Sequence, residues 1–253
     1  MSTTDPAHRQ ASHRVRFEWG ATGAAEVAES GGTAVVVDVL SFTTTLTVAA
    51  DAGITVHPFR WRDDRATAYA EERGAVLATG RSARSGVSLS PASVRAATGV
   101  ERLVLPSPNG SAISLGLAEA GVTVVGASLR NASAVGRWIA GRDEPVAVVA
   151  AGERWPDGSL RPAVEDLWGA GAVIAALVDH GVVGLSPEAR VAELAYRSAV
   201  PRLVDELHAC ASGQELVAAG FPEDVAIAAE LDESDAVPVL VADAFVVSRT
   251  AGR

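Results

Sequence analysis

The chain is poor in cysteine, in aromatic side chains and in long apolar runs, and each shortage closes off a class of protein. Cys210 is the only cysteine in 253 residues, which excludes an intrachain disulfide and any metal site built from several thiolates. A single thiol of this kind reads as a small buried apolar group rather than as a nucleophile. Phe, Trp and Tyr together make up 5%, so the core must be assembled from Ala, Val and Leu. No segment approaches the roughly 18 uninterrupted apolar residues that span a bilayer. The polar start, Met1 to Arg14, lacks the apolar stretch of a secretory signal and reads as a disordered tail. A cytoplasmic location and no membrane partner are therefore expected. The P-loop pattern G-x-x-x-x-G-K-[ST], the H-E-x-x-H helix and the G-x-S-x-G elbow are all missing. Gly169-Ala170-Gly171 supplies half of a dinucleotide fingerprint, but Ile174 stands at the third glycine position. His8, His13, His57, His180 and His208 show no ligand spacing. The formal net charge of −10 argues against a nucleic-acid partner. An anionic ligand would need local positive charge or a metal to offset that field.

What is present is an alternation. Short apolar runs at Ala34–Leu40, Ile54–Phe59, Ala75–Ala78, Arg102–Leu105, Val122–Val125 and Val146–Ala150 read as strands. Helical patterns cover Thr43–Ala52, Asp63–Arg73, Ser111–Ala120, Asn131–Ala140, Val164–His180, Pro187–Tyr196, Pro201–Ala211 and Gly213–Ala219. This predicts an α/β protein, layered α/β/α around a largely parallel sheet. Residues 15–253 would form one large domain, or two lobes over 15–120 and 121–253.

Twice, a strand-like run ends in small hydroxyl and amide residues that open a helix. Ala34-Val35-Val36-Val37-Asp38-Val39-Leu40 leads into Ser41-Phe42-Thr43-Thr44-Thr45, and Arg102-Leu103-Val104-Leu105 into Pro106-Ser107-Pro108-Asn109-Gly110-Ser111. N–H groups and hydroxyls collected at a helix N-terminus favour an anion. Thr43, Thr44, Thr45, Asn109, Gly110 and Ser111 are thus candidate phosphate contacts, with plain helix capping as the alternative. The loops after parallel strands are expected on one edge of the sheet, where open α/β sheets bind ligands.

Asp38 lies near that edge, where burying a carboxylate without a partner is costly. A divalent cation, a cationic side chain or several N–H donors would stabilise it; capping the next helix is the bland alternative. Ser128, Arg130 and Asn131 open a third helix, and Arg130 is suited either to clamping a phosphate or sulfonate or to a rim ion pair. Glu153 and the pair Glu165-Asp166 are further acids beside polar loops. Neighbours on a helix diverge by about 100°, so only one of Glu165 and Asp166 can face a shared site. Such oxygen ligands suit Mg2+ rather than zinc, and an acidic first turn that complements the helix dipole is the alternative. The loop Thr79–Gly86 carries Arg81 and Arg84 among small residues.

At these residues the chain resembles the ComB family, the 2-phosphosulfolactate phosphatases, from about Val35 to Pro238. The likeness rests on Asp38-Val39-Leu40 with its Thr-rich turn, Ser107-Pro108-Asn109-Gly110-Ser111, and the stretch from Gly126 to Val135. It continues through Ala151-Gly152-Glu153, Glu165-Asp166 with Gly169-Ala170-Gly171-Ala172, Ser212-Gly213, Leu216, Gly220-Phe221 and Asp224. The resemblance implies a Mg2+-dependent phosphatase acting on a small anionic 2-phospho acid, with an α/β fold and a homodimeric state. Asp38 would hold the metal or attack phosphorus itself. Glu153, Glu165 or Asp166 would complete the metal shell or activate water. Thr43–Thr45 and Asn109–Ser111 would cradle the phosphoryl oxygens, and Arg130 with Ser128, Asn131 and Arg81 would clamp the second anionic group. Three departures stand out: Ser41 where the family carries Arg, Arg81 where it tends to have an acid, and Ala150 and Trp168 where cysteines are common. The lost and gained arginines imply either relocated anion binding or a different substrate. Two other readings remain: a non-catalytic anion-binding or regulatory protein, and a haloacid-dehalogenase-type aspartyl-phosphate phosphatase. The latter wants a second Asp two residues after the first, where Leu40 stands.

Overall fold

Alternation of apolar runs and helical patterns produces a nine-stranded sheet with helices packed on it, the α/β architecture expected. The computed structural model describes residues 5–29, 31–60, 64–81 and 86–248. The first half contains β1 (Val15–Trp19), α1 (Gly20–Val27), β2 (Thr33–Val37), α2 (Phe42–Asp51), β3 (Thr55–Phe59), α3 (Asp64–Glu72), β4 (Val76–Leu77), α4 (Pro91–Arg95), β5 (Arg102–Pro106) and α5 (Gly110–Glu119). The second contains β6 (Thr123–Ala127), α6 (Ala132–Ala140), β7 (Val146–Ala150), β8 (Glu153–Arg154), β9 (Leu160–Arg161), α7 (Val164–Asp179) and α8 (Pro187–Ala199). It closes with α9 (Leu203–Ala209), α10 (Ala211–Ala218), α11 (Pro222–Ala228), β10 (Val237–Val241) and β11 (Ala244–Ser248). The main sheet has the order β1-β7-β2-β6-β10-β11-β3-β5-β4, and β8–β9 form a separate antiparallel hairpin.

The run of valines in β2 is buried at every position because both faces of that strand are covered. Val35 and Val37 pack with Leu129, Ile139 and Ile174 on one side, while Ala34 and Val36 pack with Phe42, Leu46 and Leu105 on the other. Phe42 and Phe245 meet edge to face at 6.2 Å between ring centroids, and aliphatic side chains fill most of the remaining core. The long α7 is apolar nearly all round because it lies between the sheet and α8. Gly169 and Gly171, which look like part of a dinucleotide motif, serve that packing. A Cβ at 169 would stand 2.6 Å from Val39 Cγ2, and one at 171 only 2.1 Å from the Ala192 carbonyl oxygen.

The strand directions correct one expectation. The β10–β11 hairpin is inserted between β6 and β3, and β6–β10, β10–β11 and β11–β3 are all antiparallel. Three reversals leave β3, β4 and β5 running opposite to β1, β2, β6 and β7, so the strand ends do not gather on one edge. The loop after β5 still reaches the loop after β2, because α5 packs on both β2 and β3. Strands from 15–120 and 121–253 interleave in this one sheet.

Of residues 1–14, the first four lie outside the described residues. Pro6–Arg9 form a 3-10 turn capped by Asp5. The buried Gln10 side chain donates to the Phe17 carbonyl at 2.8 Å and accepts the Phe17 N–H at 3.1 Å, acting as a partner for the edge of β1. The expected helix over Asp63–Arg73 is described from Asp64 onward, and Arg84 lies outside the described residues. Among the described residues no helix is long and apolar enough to cross a membrane.

Candidate active site

Both hydroxyl-rich turns converge on one side chain. Asp38 is buried at the end of β2; its Oδ1 accepts the Phe42 N–H at 3.1 Å and its Oδ2 accepts the Gly110 N–H at 3.0 Å. The first turns of α2 and α5, from opposite halves of the sheet, therefore spend a donor each on a single carboxylate. The absence of a side chain at Gly110 makes this possible, since a Cβ there would lie 2.3 Å from Phe42 Cδ1 and 2.8 Å from Asp38 Oδ2.

The hydroxyls around it turn toward backbone. Thr43 Oγ1 donates to the Asp38 carbonyl at 2.8 Å and accepts the Asp38 N–H at 2.9 Å. Thr44 Oγ1 donates to the Val39 carbonyl, Thr45 Oγ1 to that of Leu89 and Ser111 Oγ to that of Leu105. All four side chains are buried, so they brace the loops that hold Asp38.

Three further acids surround Asp38. Asp166, in the first turn of α7, accepts the Val39 N–H at 2.7 Å with one oxygen and the Gly152 N–H at 2.8 Å with the other. It ties the loop after β2 to the loop after β7. Its neighbour Glu165, also buried, is close enough to push on the ionisation of Asp38, Glu153 and Cys210. Glu153 is part-buried, and its Oε2 accepts from Asn109 Nδ2 at 3.0 Å. Asn109 Oδ1 in turn accepts from Arg154 Nε at 3.3 Å.

Crowding so much negative charge out of water has a cost that shows in the ionisation of the acids. Burial raises Asp38 to about 6 against the pull of its two N–H donors. Burial, then the charges of Asp38 and Glu165, raise Glu153 to about 7. Asp166 is held well above the ordinary carboxylate range, by burial first and by the same two neighbours next. The chain contains no lysine, so the fixed cations that offset this field are arginines. Arg81 lowers Asp38 and Arg161 lowers Glu153.

The other expected site residues divide between this cluster and partners elsewhere. Arg130 is committed to Asp51 and Glu230, each at 3.0 Å, and does not join Asp38. Ser128 and Asn131 close a reciprocal capping box, with Ser128 N–H on Asn131 Oδ1 at 2.8 Å and Arg130 N–H on Ser128 Oγ at 3.2 Å. Arg81 does reach the site: its Nη2 donates to Ser41 Oγ and, at 3.2 Å, to the Leu89 carbonyl, while its Nε pairs with Asp224 at 3.1 Å. The arginine gained at 81 thus stands against the residue, Ser41, where an arginine is missing. Cys210 donates to the Leu207 carbonyl and accepts the Gly213 N–H, capping α10. Burial and then Glu165 push its thiol up to about 12, which leaves it inert as a nucleophile.

Arg161 stands in no motif of the sequence. The turn signature Pro156-Asp157-Gly158 was the available signal, because closing it as a hairpin sets Arg161 directly opposite Glu153. On the other side of that hairpin, a cavity of about 280 Å3 is lined by Trp19, Thr22, Asn109, Glu153, Arg154 and Leu160 among others.

The donor chemistry here fits a hard divalent cation, since Asp38, Glu153 and Glu165 offer oxygens in a site short of positive charge. Among the described residues, no group of three or more His, Cys, Asp and Glu side chains is arranged to hold a metal alone. A cation would therefore rest on one or two carboxylates and complete its shell with water and ligand oxygens, the usual habit of Mg2+.

Comparison with known proteins adds a name to this geometry. The family model described as 2-phosphosulpholactate phosphatase matches residues 22–243. A protein of Deinococcus radiodurans named "Probable 2-phosphosulfolactate phosphatase" is 31% identical over 217 residues, covering 82% of this chain and 87% of that protein. One of the same name from Microcystis aeruginosa is 26% identical over 220 residues, covering 81% and 88%.

Proposed function

This chain belongs to the 2-phosphosulpholactate phosphatase family, and from that premise we propose that it hydrolyses the phosphate ester of a small anionic 2-phospho acid, 2-phosphosulfolactate, with the help of Mg2+. The observation that carries the reading is Asp38, an acid fixed by two helix N-termini among Glu153 and Glu165. Asp38 and Glu165 would hold the cation, which when bound supplies charge neutralisation for the phosphoryl oxygens. Asp166 positions Asp38 by gripping the backbone at Val39 and Gly152. Glu153, raised to about 7, is divided between its two forms near neutrality and can take a proton from water or return one to the leaving oxygen. Arg81 supplies positive charge beside Asp38 on the side of Ser41.

A homodimer belongs to the same proposal, and the apolar side chains of Val191, Leu194 and Val204 exposed on α8 and α9 support it. Sedimentation of the purified chain tests that part. For the chemistry, phosphate release from 2-phosphosulfolactate and 2-phospholactate should vanish in EDTA. It should also fall by at least about a hundredfold in kcat in Asp38→Asn, the size of a single lost electrostatic group in an active site. Near wild-type turnover in that variant would sink the assignment of Asp38. Binding of these anions without any phosphate release would favour the anion-binding alternative.

A further inference from the structure

Among the described ion-paired arginines, three keep their side chains less than 15% exposed: Arg16 at 6%, Arg130 at 5% and Arg161 at 14%. Two of them are held by carboxylates at 3.0 Å. Arg16 meets Glu29 at 3.0 Å and the carbonyls of His13, Val27 and Ala11. Arg130 meets Asp51 and Glu230. Arg161 has nothing comparable. Its Nη2 lies 3.4 Å from Ser212 Oγ and 3.9 Å from a carboxylate oxygen of Glu215, a side chain that is itself 71% exposed. Trp155 stands 5.9 Å below the guanidinium, at the edge of a cation–π contact. A guanidinium carries five donors in a fixed fork, so Arg161 keeps most of its hydrogen-bonding capacity in reserve while largely withdrawn from water.

Its position gives that reserve a use. Arg161 is the cross-strand partner of Glu153, and residues opposite each other in an antiparallel pair project from the same face. Its charge is felt at Glu153, as that of Arg81 is at Asp38, so the two arginines bracket the carboxylate cluster. Arg81 has its Nε and Nη2 taken by Asp224, Ser41 and Leu89. Arg154 projects from the opposite face of the hairpin, toward Asn109 and the Gly158 carbonyl.

We propose that Arg161 receives the second anionic group of the substrate, a carboxylate or sulfonate, and so makes the site select phospho acids over simple phosphate esters. This rests on the phosphatase reading of the same site. Asp38 and Glu153 then work on the phosphoryl end, while the fork of Arg161 fixes the other end from the hairpin.

Two measurements on wild type, Arg161→Ala and Arg161→Lys separate this inference from the reading beneath it. The first is calorimetric binding of malate, a hydroxy acid without phosphate, in EDTA. The second is hydrolysis of 2-phospholactate and of ethyl phosphate, which has no second anion. Arg161→Ala should weaken malate binding and raise KM for 2-phospholactate by about 10- to 100-fold, the loss of one charged hydrogen-bonding partner. Its effect on kcat/KM for ethyl phosphate should be at least about tenfold smaller, limited to what Glu153 loses when the neighbouring charge is removed. Arg161→Lys, which keeps the charge and loses the fork, should fall between wild type and Ala on malate and match wild type on ethyl phosphate; it guards against a misfolded Ala variant. Equal slowing of both esters, or malate binding indifferent to position 161, would overturn the inference and leave the phosphatase intact. Malate binding that depends on Arg161 with neither ester hydrolysed would refute the phosphatase and leave the anion site standing.

Discussion

Raising the pH in the absence of divalent cations should destabilise this protein across a range where many domains gain stability. Asp38 ionises near 3.8 in an unfolded chain and near 6 in the folded one, and Glu153 moves from 4.5 to about 7; Asp166 moves in the same direction. Both folded-state values lie above their unfolded counterparts, so the folded state holds more protons in the range between them. The stabilisation is complete below about pH 4 and is lost as the pH climbs through about 6 to 7. A displacement of about two units corresponds to roughly 3 kcal/mol per acid, and because the acids repel one another the combined effect is about 3–6 kcal/mol. Glu230 and Asp243 act the other way, held low by Arg95 and Arg130 in the first case and by Arg73 in the second, against the burial that would raise them. The two carboxylates stand partly in water, Glu230 at 31% and Asp243 at 46% exposure, and contribute about 1 kcal/mol or less each. Urea unfolding followed by circular dichroism at pH 5, 6, 7 and 8 in EDTA measures the balance. The midpoint should fall from pH 5 to pH 8, Asp38→Asn should remove about half of that slope, and millimolar Mg2+ should restore the midpoint at pH 8 by mass action. The general repulsion of a chain with net charge −10 would produce a decline indifferent to position 38. A midpoint that is flat or rising in EDTA, or a slope unchanged in Asp38→Asn, would refute the account of the cluster.

Two other substitutions probe the frame around Asp38. Gly110→Ala places a methyl group 2.3 Å from Phe42 and 2.8 Å from Asp38, so either the ring or the carboxylate must shift; thermal melting should show a loss of about 1–3 kcal/mol, and phosphate release should drop with it, whereas a variant with wild-type melting and turnover would contradict the close approach. Arg130→Met should lower stability by about 1–3 kcal/mol through the unpaired Asp51 and Glu230, while KM for the phospho acid stays within about twofold; a large rise in KM would bring Arg130 back to the substrate.

Much of the frame was legible because strong local patterns decided it. The valine run before Asp38 could only be a strand covered on both faces, and the hydroxyl turns after β2 and β5 did open helices. The acids of the site were found from their places beside polar loops. Less legible was everything decided at long range. The β10–β11 hairpin turns through Ala242 at φ 55°, a position where glycine or asparagine would have signalled a tight turn, and Pro238 further disguises its first strand. That hidden hairpin reverses half of the sheet. Arg130 and Arg161 look equally available in sequence; what separates them is Glu230, a hundred residues from Arg130, which takes its Nε while Asp51 takes Nη1. The threonines suit a ligand or the local backbone equally well in sequence, because hydroxyl position in a first turn is set by backbone torsions that no residue pattern displays. Each of Thr43, Thr44 and Thr45 donates to a backbone carbonyl.

The two hydroxyl turns do the same work from opposite directions, and this links the fold to the chemistry. One strand block delivers Asp38 and the first turn of α2, the oppositely directed block delivers Gly110, and their meeting point is the carboxylate itself. Docking of the two blocks therefore sets the geometry of Asp38, without any loop having to order itself around a ligand. The same contact leaves Asp38, Glu153 and Asp166 ionising at higher pH than free acids, a cost the fold bears until positive charge arrives. A site assembled this way should hold a phosphoryl group far more tightly with a cation than without one. The cation relieves the repulsion among the acids and turns their field from one that rejects a phosphate into one that accepts it.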